Sequence, residues 1–169
     1  MPRENRERRY IAEYLLETYP QGGYYTNVAL GPIPDEITAR YGLSAGAALF
    51  QPSRLRIDAV VPQKTSYLLI EAKIREPRDA IGNLLLYRTQ AQITPDLPEY
   101  VGQPFQARLV VPWALDWVVA AAKEHGMEIA IYLPPWVEGY VRERQNYFTR
   151  DYRIARDEKM RLRKLLGVD

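Results

Sequence analysis

The stretch Tyr67-Leu68-Leu69-Ile70-Glu71-Ala72-Lys73-Ile74 constrains this chain most, because it is apolar except for two opposite charges near one end. It reads as a strand, and side chains alternate along a strand. Tyr67, Leu69, Glu71 and Lys73 therefore share one face, and Leu68, Ile70, Ala72 and Ile74 take the other. A second apolar strand, Leu55–Val61, carries a lone acid, Asp58, and stops at Pro62. The link Pro62-Gln63-Lys64-Thr65-Ser66 is short and turn-like, which predicts an antiparallel hairpin. Paired through that turn, Asp58 and Glu71 come side by side.

The flanking segments supply helices and further strands. Arg3–Tyr19 has Ile11, Tyr14, Leu15 and Thr18 on one side at helical spacing, with Glu7 on the same stripe, and Pro20-Gln21-Gly22-Gly23 ends it. Tyr24–Leu30 reads as a strand. Residues 31–53 read as irregular, with Pro32, Pro34 and Pro52 and one short helix from about Asp35 to Tyr41. A helix is predicted over Pro77–Gln92, with Pro77 in its first turn. A loop follows over Thr94–Gln106, punctuated by Pro95, Pro98, Gly102 and Pro104. Strand Ala107–Val111, helix Ala114–His125 and strand Met127–Leu133 then form a parallel pair with a crossover. From Trp136 to Val168 the chain has helical character. Val137, Val141, Phe148, Tyr152, Ala155, Leu162 and Leu166 make an apolar stripe that must bury against the domain or a second subunit.

Composition narrows the chemistry. There is no cysteine, which removes disulfides, thiol nucleophiles and thiolate zinc sites. The single His125 leaves little room for histidine-metal or Ser-His-Asp schemes. Net charge is only +2, but Arg3, Arg6, Arg8 and Arg9 cluster at one end, and from Trp136 onward nine Arg or Lys stand against six Asp or Glu. The polar start is no secretory signal, and the longest apolar run is too short for a membrane span, so an intracellular location is expected, with no membrane partner.

Acids inside apolar strands are costly unless compensated, and a bound cation compensates them. Two carboxylates, a backbone carbonyl and waters suit Mg²⁺, and Lys73 on the same face can orient an attacking water. The set Asp58, a gap of about a dozen residues, then Glu71-Ala72-Lys73 resembles the signature of the PD-(D/E)xK nuclease superfamily. Over Arg3–Leu133 the order of elements is similar too, with the closest likeness to Holliday junction resolvase-type nucleases. The resemblance implies a restriction-endonuclease-like α/β fold: three α/β/α layers with a mixed central sheet over residues 1–135, plus a C-terminal helical extension over 136–169. That extension would serve dimerisation or DNA contact.

The resemblance also implies a Mg²⁺- or Mn²⁺-dependent endonuclease. It would hydrolyse DNA phosphodiesters by attack of a metal-activated water and leave a 5′ phosphate. Asp58, Glu71 and the carbonyl of Ala72 would be metal ligands, Lys73 the catalytic lysine, and Glu7 the first-helix acid, followed by Arg8 as in the resolvases. Gly82-Asn83-Leu84-Leu85-Leu86-Tyr87-Arg88 is similar to the superfamily's substrate-contacting helix, so Asn83, Tyr87 and Arg88 join Arg8 as candidate substrate contacts. DNA and a second copy of the chain, met through the C-terminal helix, are the expected partners. Three departures leave the subfamily open: Arg56-Ile57 replaces the Pro that often precedes the Asp, residues 31–53 exceed a minimal core, and the tail has no counterpart in small resolvases.

Plainer readings compete. Glu71 and Lys73 alone make a salt bridge at a strand end, and Arg56 could pair with Asp58. Glu7 suits a helix first turn by charge alone. A nuclease-fold module without activity, which binds DNA or assembles with protein partners, fits the long tail stripe.

Overall fold

The computed structural model describes residues 3–75, 77–95, 97, 104–146 and 150–167; for residues 3–5, 144–146 and 150–152 it describes the backbone alone. Pro98, Gly102 and Phe148, and the side chain of Tyr152, lie outside the described residues. The chain divides into two units, Met1–Tyr132 and Leu133–Asp169.

In the first unit, helix α1 (Arg3–Thr18) precedes strand β1 (Tyr25–Leu30), then helices α2 (Asp35–Tyr41) and α3 (Leu43–Phe50). The hairpin β2 (Leu55–Pro62) and β3 (Tyr67–Ala72) comes next, followed by helix α4 (Pro77–Gln92), β4 (Phe105–Val111), α5 (Asp116–Glu124) and β5 (Met127–Ile131). The described strands form one mixed sheet in the order β1-β2-β3-β4-β5. The pairs β1-β2 and β2-β3 are antiparallel, while β3-β4 and β4-β5 are parallel. The chain is thus an α/β fold with helices on both faces of its sheet, the arrangement expected from the order of elements.

Strand alternation sorts the two layers. Leu69 and Leu109 lie in one buried cluster with Ala80, Leu84 and Tyr87 of α4 and Val118 and Ala122 of α5. Ile70 and Arg108, the next residues along and paired across β3-β4, take the opposite face. There the Arg108 guanidinium donates to the hydroxyls of Tyr14 and Tyr19 at 3.2 and 3.0 Å, and to Glu128 of β5 at 2.6 Å. Tyr132 locks the same helix, accepting from the Tyr10 hydroxyl on its carbonyl (2.6 Å) and donating its own hydroxyl to Glu17 (2.7 Å). α1 is therefore held by charge-assisted bonds as well as by its buried Tyr10, Ile11, Tyr14 and Leu15.

The sheet differs from expectation in small ways. β3 closes at Ala72 and β5 at Ile131, each two residues early, and β4 begins two residues sooner, at Phe105. The larger difference is α3, which lies where only irregular chain was expected. Gly42, at φ 77°, stops α2 and opens α3 at once, a backbone conformation that suits glycine. Gly46 then lets α3 close on α2, since a Cβ there would stand 3.2 Å from Ile37 Cγ2. A glycine inside an apolar run reads as a loop signal, but here it marks a close helix contact.

The second unit holds α6 (Pro135–Asn146) and α7 (Arg150–Leu165). Val137 is buried and Val141 half-buried, but Ala155, Leu162 and Leu166 of the expected stripe are exposed. Leu162 and Leu166 are 54% and 74% exposed, so these described positions of the stripe are not buried. No described helix is long and apolar enough to cross a membrane.

One backbone feature bears on the site. Asn27 is in the left-handed region at φ 54°, uncommon for a residue with a Cβ but tolerated by asparagine. Asn27→Ala should cost about 1 kcal/mol, while Asn27→Gly should be neutral within about 0.5 kcal/mol. Urea melts of the two variants check this; equal loss in both would place the cost in the Asn27 side chain instead.

Candidate active site

The ladder between β2 and β3 runs Pro62↔Tyr67, Val61↔Leu68, Val60↔Leu69, Ala59↔Ile70. The next step would pair Asp58 with Glu71, and there the strands part. The Ala72 amide donates to Asp58 Oδ2 at 2.8 Å, and the Lys73 amide donates to the Val110 carbonyl of β4 at 2.9 Å. The β1-β2 ladder also passes over this point, pairing Thr26 with Ala59 and Val28 with Ile57 but not Asn27 with Asp58. The left-handed turn at Asn27 makes that gap, and Arg56 Nη1 secures it by donating to the Asn27 carbonyl at 3.1 Å. Asp58 thus sits in an opening of the sheet. It borders a cleft of about 360 Å³ between α1 and β1-β2, lined also by Arg8, Ile11, Ala12, Leu15, Thr26 and Asn27.

Glu71 is nearly closed off. Its side chain is 4% exposed, and Oε1 takes the Lys73 ammonium at 2.9 Å, with Lys73 19% exposed. Oε2 is buried and has no hydrogen-bond partner among the described residues. Burial pushes the Glu71 carboxyl up to about 7, the Asp58 charge adds to this, and Lys73 opposes it. Burial also raises Asp58 above the usual carboxylate range, against the pull of the Ala72 amide and Lys73. Burial alone would lower Lys73, but the charges of Glu71, Asp58 and Glu7 outweigh it and hold the amine above its ordinary value. Two acids that resist carrying two negative charges, with a lysine kept cationic beside them, form one electrostatic unit.

The other expected residues fall into two groups. Glu7 is half-buried on α1 and close enough for its charge to act on both Asp58 and Lys73. It does not complete a ligand trio: no group of three acids or histidines able to hold a metal occurs among the described residues. Arg8 lines the Asp58 cleft. Tyr87 is buried against the pair, its hydroxyl raised by burial and then by the charges of Glu71 and Asp58. Ala72 ends β3 between the two acids, with its amide already on Asp58. Arg88 is held elsewhere, donating to the His125 carbonyl at the end of α5 at 2.9 Å. The Asn83 side chain is half-buried on α4 and forms no hydrogen bond among the described residues. Arg56, weighed as a partner for Asp58, serves Asn27 instead. Asn27 itself was missed; an asparagine between Thr26 and Val28 in a strand is the signal that marks such a break.

The donor set fits a divalent cation. Hard carboxylate oxygens converge from two strands, and the buried Glu71 Oε2 has no hydrogen-bond partner among the described residues, which a cation would supply. The Lys73 ammonium already satisfies the other Glu71 oxygen, so any ion would sit on the Oε2 and Asp58 side.

No protein-family model matches the chain, and no curated protein matches it. Among solved structures the chain is similar to the crystal structure of a repair endonuclease from Pyrococcus abyssi, at 17% identity and a TM-score of 0.46. The match takes in 75% of this chain and 47% of the endonuclease chain, so this chain spans less than half of that protein's length.

Proposed function

We propose that the chain is a divalent-metal-dependent endonuclease acting on DNA phosphodiesters, of the PD-(D/E)xK type. The observation that carries this reading is the meeting of Asp58, Glu71 and Lys73 where β2 and β3 part, with Glu71 Oε2 left without a partner. Asp58, Glu71 and the Ala72 carbonyl would hold Mg²⁺ or Mn²⁺, with the Glu7 charge nearby. When bound, such an ion offsets charge on a phosphate and acidifies water.

The chain's own groups do the rest. Lys73 presents an ammonium that orients a water and neutralises charge developing on the phosphoryl oxygens. Arg8, which lines the cleft beside Asp58, would pair with a backbone phosphate. Tyr87 and the apolar α4 layer keep water from the inner side of Glu71. The exposed apolar residues of α7 support a second copy of the chain as partner through that helix.

Supercoiled plasmid incubated with the purified chain should be nicked with Mg²⁺ or Mn²⁺ and stay intact in EDTA. Calorimetry with Mn²⁺ should show binding that Asp58→Asn weakens about 10- to 100-fold. An intact plasmid under every metal condition, together with no heat on Mn²⁺ addition, sinks the reading.

One observation favours a second reading. The Glu71–Lys73 ion pair is itself satisfied on one side and shielded from solvent, as in a fold-stabilising pair. On that basis the chain is a catalytically inactive nuclease-fold module for DNA binding or protein assembly. It predicts DNA or partner binding with neither metal uptake nor nicking.

A further inference from the structure

Helix α7 carries seven basic residues against three acidic ones. Arg156, Lys159 and Arg163 recur at i, i+3 and i+7, a spacing that puts all three on one side of a helix. With Ala155 and Met160 they line a groove of about 340 Å³, in which Glu143 of α6 is the one acid among the lining residues. Arg156 is oriented by its neighbour, donating from Nε and Nη2 to Asp157 at 3.0 and 2.8 Å. Lys159 and Arg163 are exposed.

We propose that this groove binds the phosphate backbone of a nucleic-acid strand, without regard to base sequence. The geometry suits that ligand. From i to i+7 the helix rises about 10 Å, a length that covers a short run of backbone phosphates at about 3.4 Å of axial rise each. The Arg163 guanidinium fork matches phosphate oxygens in pairs, which a flat anionic lipid surface does not require, while Arg156 adds charge from its pair with Asp157. Met160 and Ala155 give the groove an apolar floor, and the lining carries no Asn or Gln of the kind that reads adenine; the charged groups are taken to meet phosphate, which carries no sequence information. The groove lies wholly within the second unit and makes a claim about binding alone, separate from any cleavage by the first.

The experiment uses the full chain in EDTA, with fluorescein-labelled DNA of two unrelated sequences, read by anisotropy over a salt series. Wild type should bind both sequences equally. Arg156→Gln with Arg163→Gln should weaken binding about tenfold or more near physiological salt and lower the slope of log affinity against log salt by about 2. Arg161→Gln with Lys164→Gln removes the same charge from exposed positions of α7 outside the groove lining and should do markedly less. Circular dichroism checks that both variants keep their helices. Three results overturn the proposal: no binding by wild type, equal losses in the two variants, or a groove variant that loses binding to phosphatidylserine vesicles while holding DNA as before. Because EDTA excludes cleavage, a failed nuclease assay leaves this result standing, and its failure leaves the nuclease assay standing.

Discussion

Glu71→Ala should abolish both plasmid nicking and the heat of Mn²⁺ binding, whereas Lys73→Met should keep the heat and lose nicking by about 10²- to 10³-fold. The two side chains touch, so the contrast separates their roles. Glu71 supplies the unpartnered buried oxygen, and without it one of the two converging carboxylates is gone. In the proposed reaction Lys73 would supply charge beside the phosphate but no ligand atom. Methionine keeps its approximate length and removes the cation, leaving Glu71 buried without its counter-charge. Breaking a buried pair in this way costs about 3–5 kcal/mol, which a bound ion would offset in part. Lys73→Met should therefore melt lower than wild type in EDTA and recover more on adding Mn²⁺. A Lys73→Met protein that nicks at the wild-type rate removes the lysine from catalysis and leaves the ion pair a purely structural one.

The metal-free protein should lose stability as pH rises from about 4.5 to about 7. In the folded chain burial holds the Glu71 carboxyl up to about 7, against 4.5 for an unburied glutamate. Across that window the folded state keeps a proton that the unfolded state has released, so rising pH favours unfolding. The contribution is fully present below the lower value and gone above the upper one. A shift of this size corresponds to about 3 kcal/mol, and Asp58, raised in the same direction, adds to it. Urea midpoints measured in EDTA across this range should fall for wild type and stay much flatter for Glu71→Gln, whose amide carries no charge to bury. Mn²⁺ should restore the loss above pH 7, where the carboxylates are ready to bind it. Parallel curves for the two proteins would mean that Glu71 ionises as freely in the fold as out of it.

The parts of the fold that follow from periodicity were legible in the sequence. Alternation along Tyr67–Ile74 and the short Pro62–Ser66 link predicted the hairpin, and helix α4 has the expected bounds of Pro77 and Gln92. The neighbourhood of Asp58, Glu71 and Lys73 follows from the same two facts. What escaped depends on contacts between distant segments. Gly46 reads as a breaker until Ile37 is seen packing against it. The bond from Arg88 to the His125 carbonyl at the end of α5 joins segments far apart in the chain and has no cue in the sequence. The break at Asn27 has a local cue, but its effect, opening the sheet at Asp58, depends on which residue β2 places opposite. Glu7 enters as a ligand candidate through the resemblance; the fold brings its charge near Asp58 and Lys73, a neighbourhood the helix stripe alone does not reveal. The α7 stripe is periodic, yet periodicity does not say what a helix packs on.

The hairpin register gives the loop between β2 and β3 a role its own side chains do not reveal. Adding or deleting one residue there would move Asp58 to the face away from Glu71, because neighbouring strand positions point oppositely. The corner is itself pinned, the Ser66 hydroxyl donating to Gln63 Oε1 at 2.8 Å and the Gln63 amide to the Ser66 carbonyl at 2.9 Å, which helps hold that length. A surface bend roughly four residues away, about 13 Å along the strand, thereby decides whether the two carboxylates ever meet.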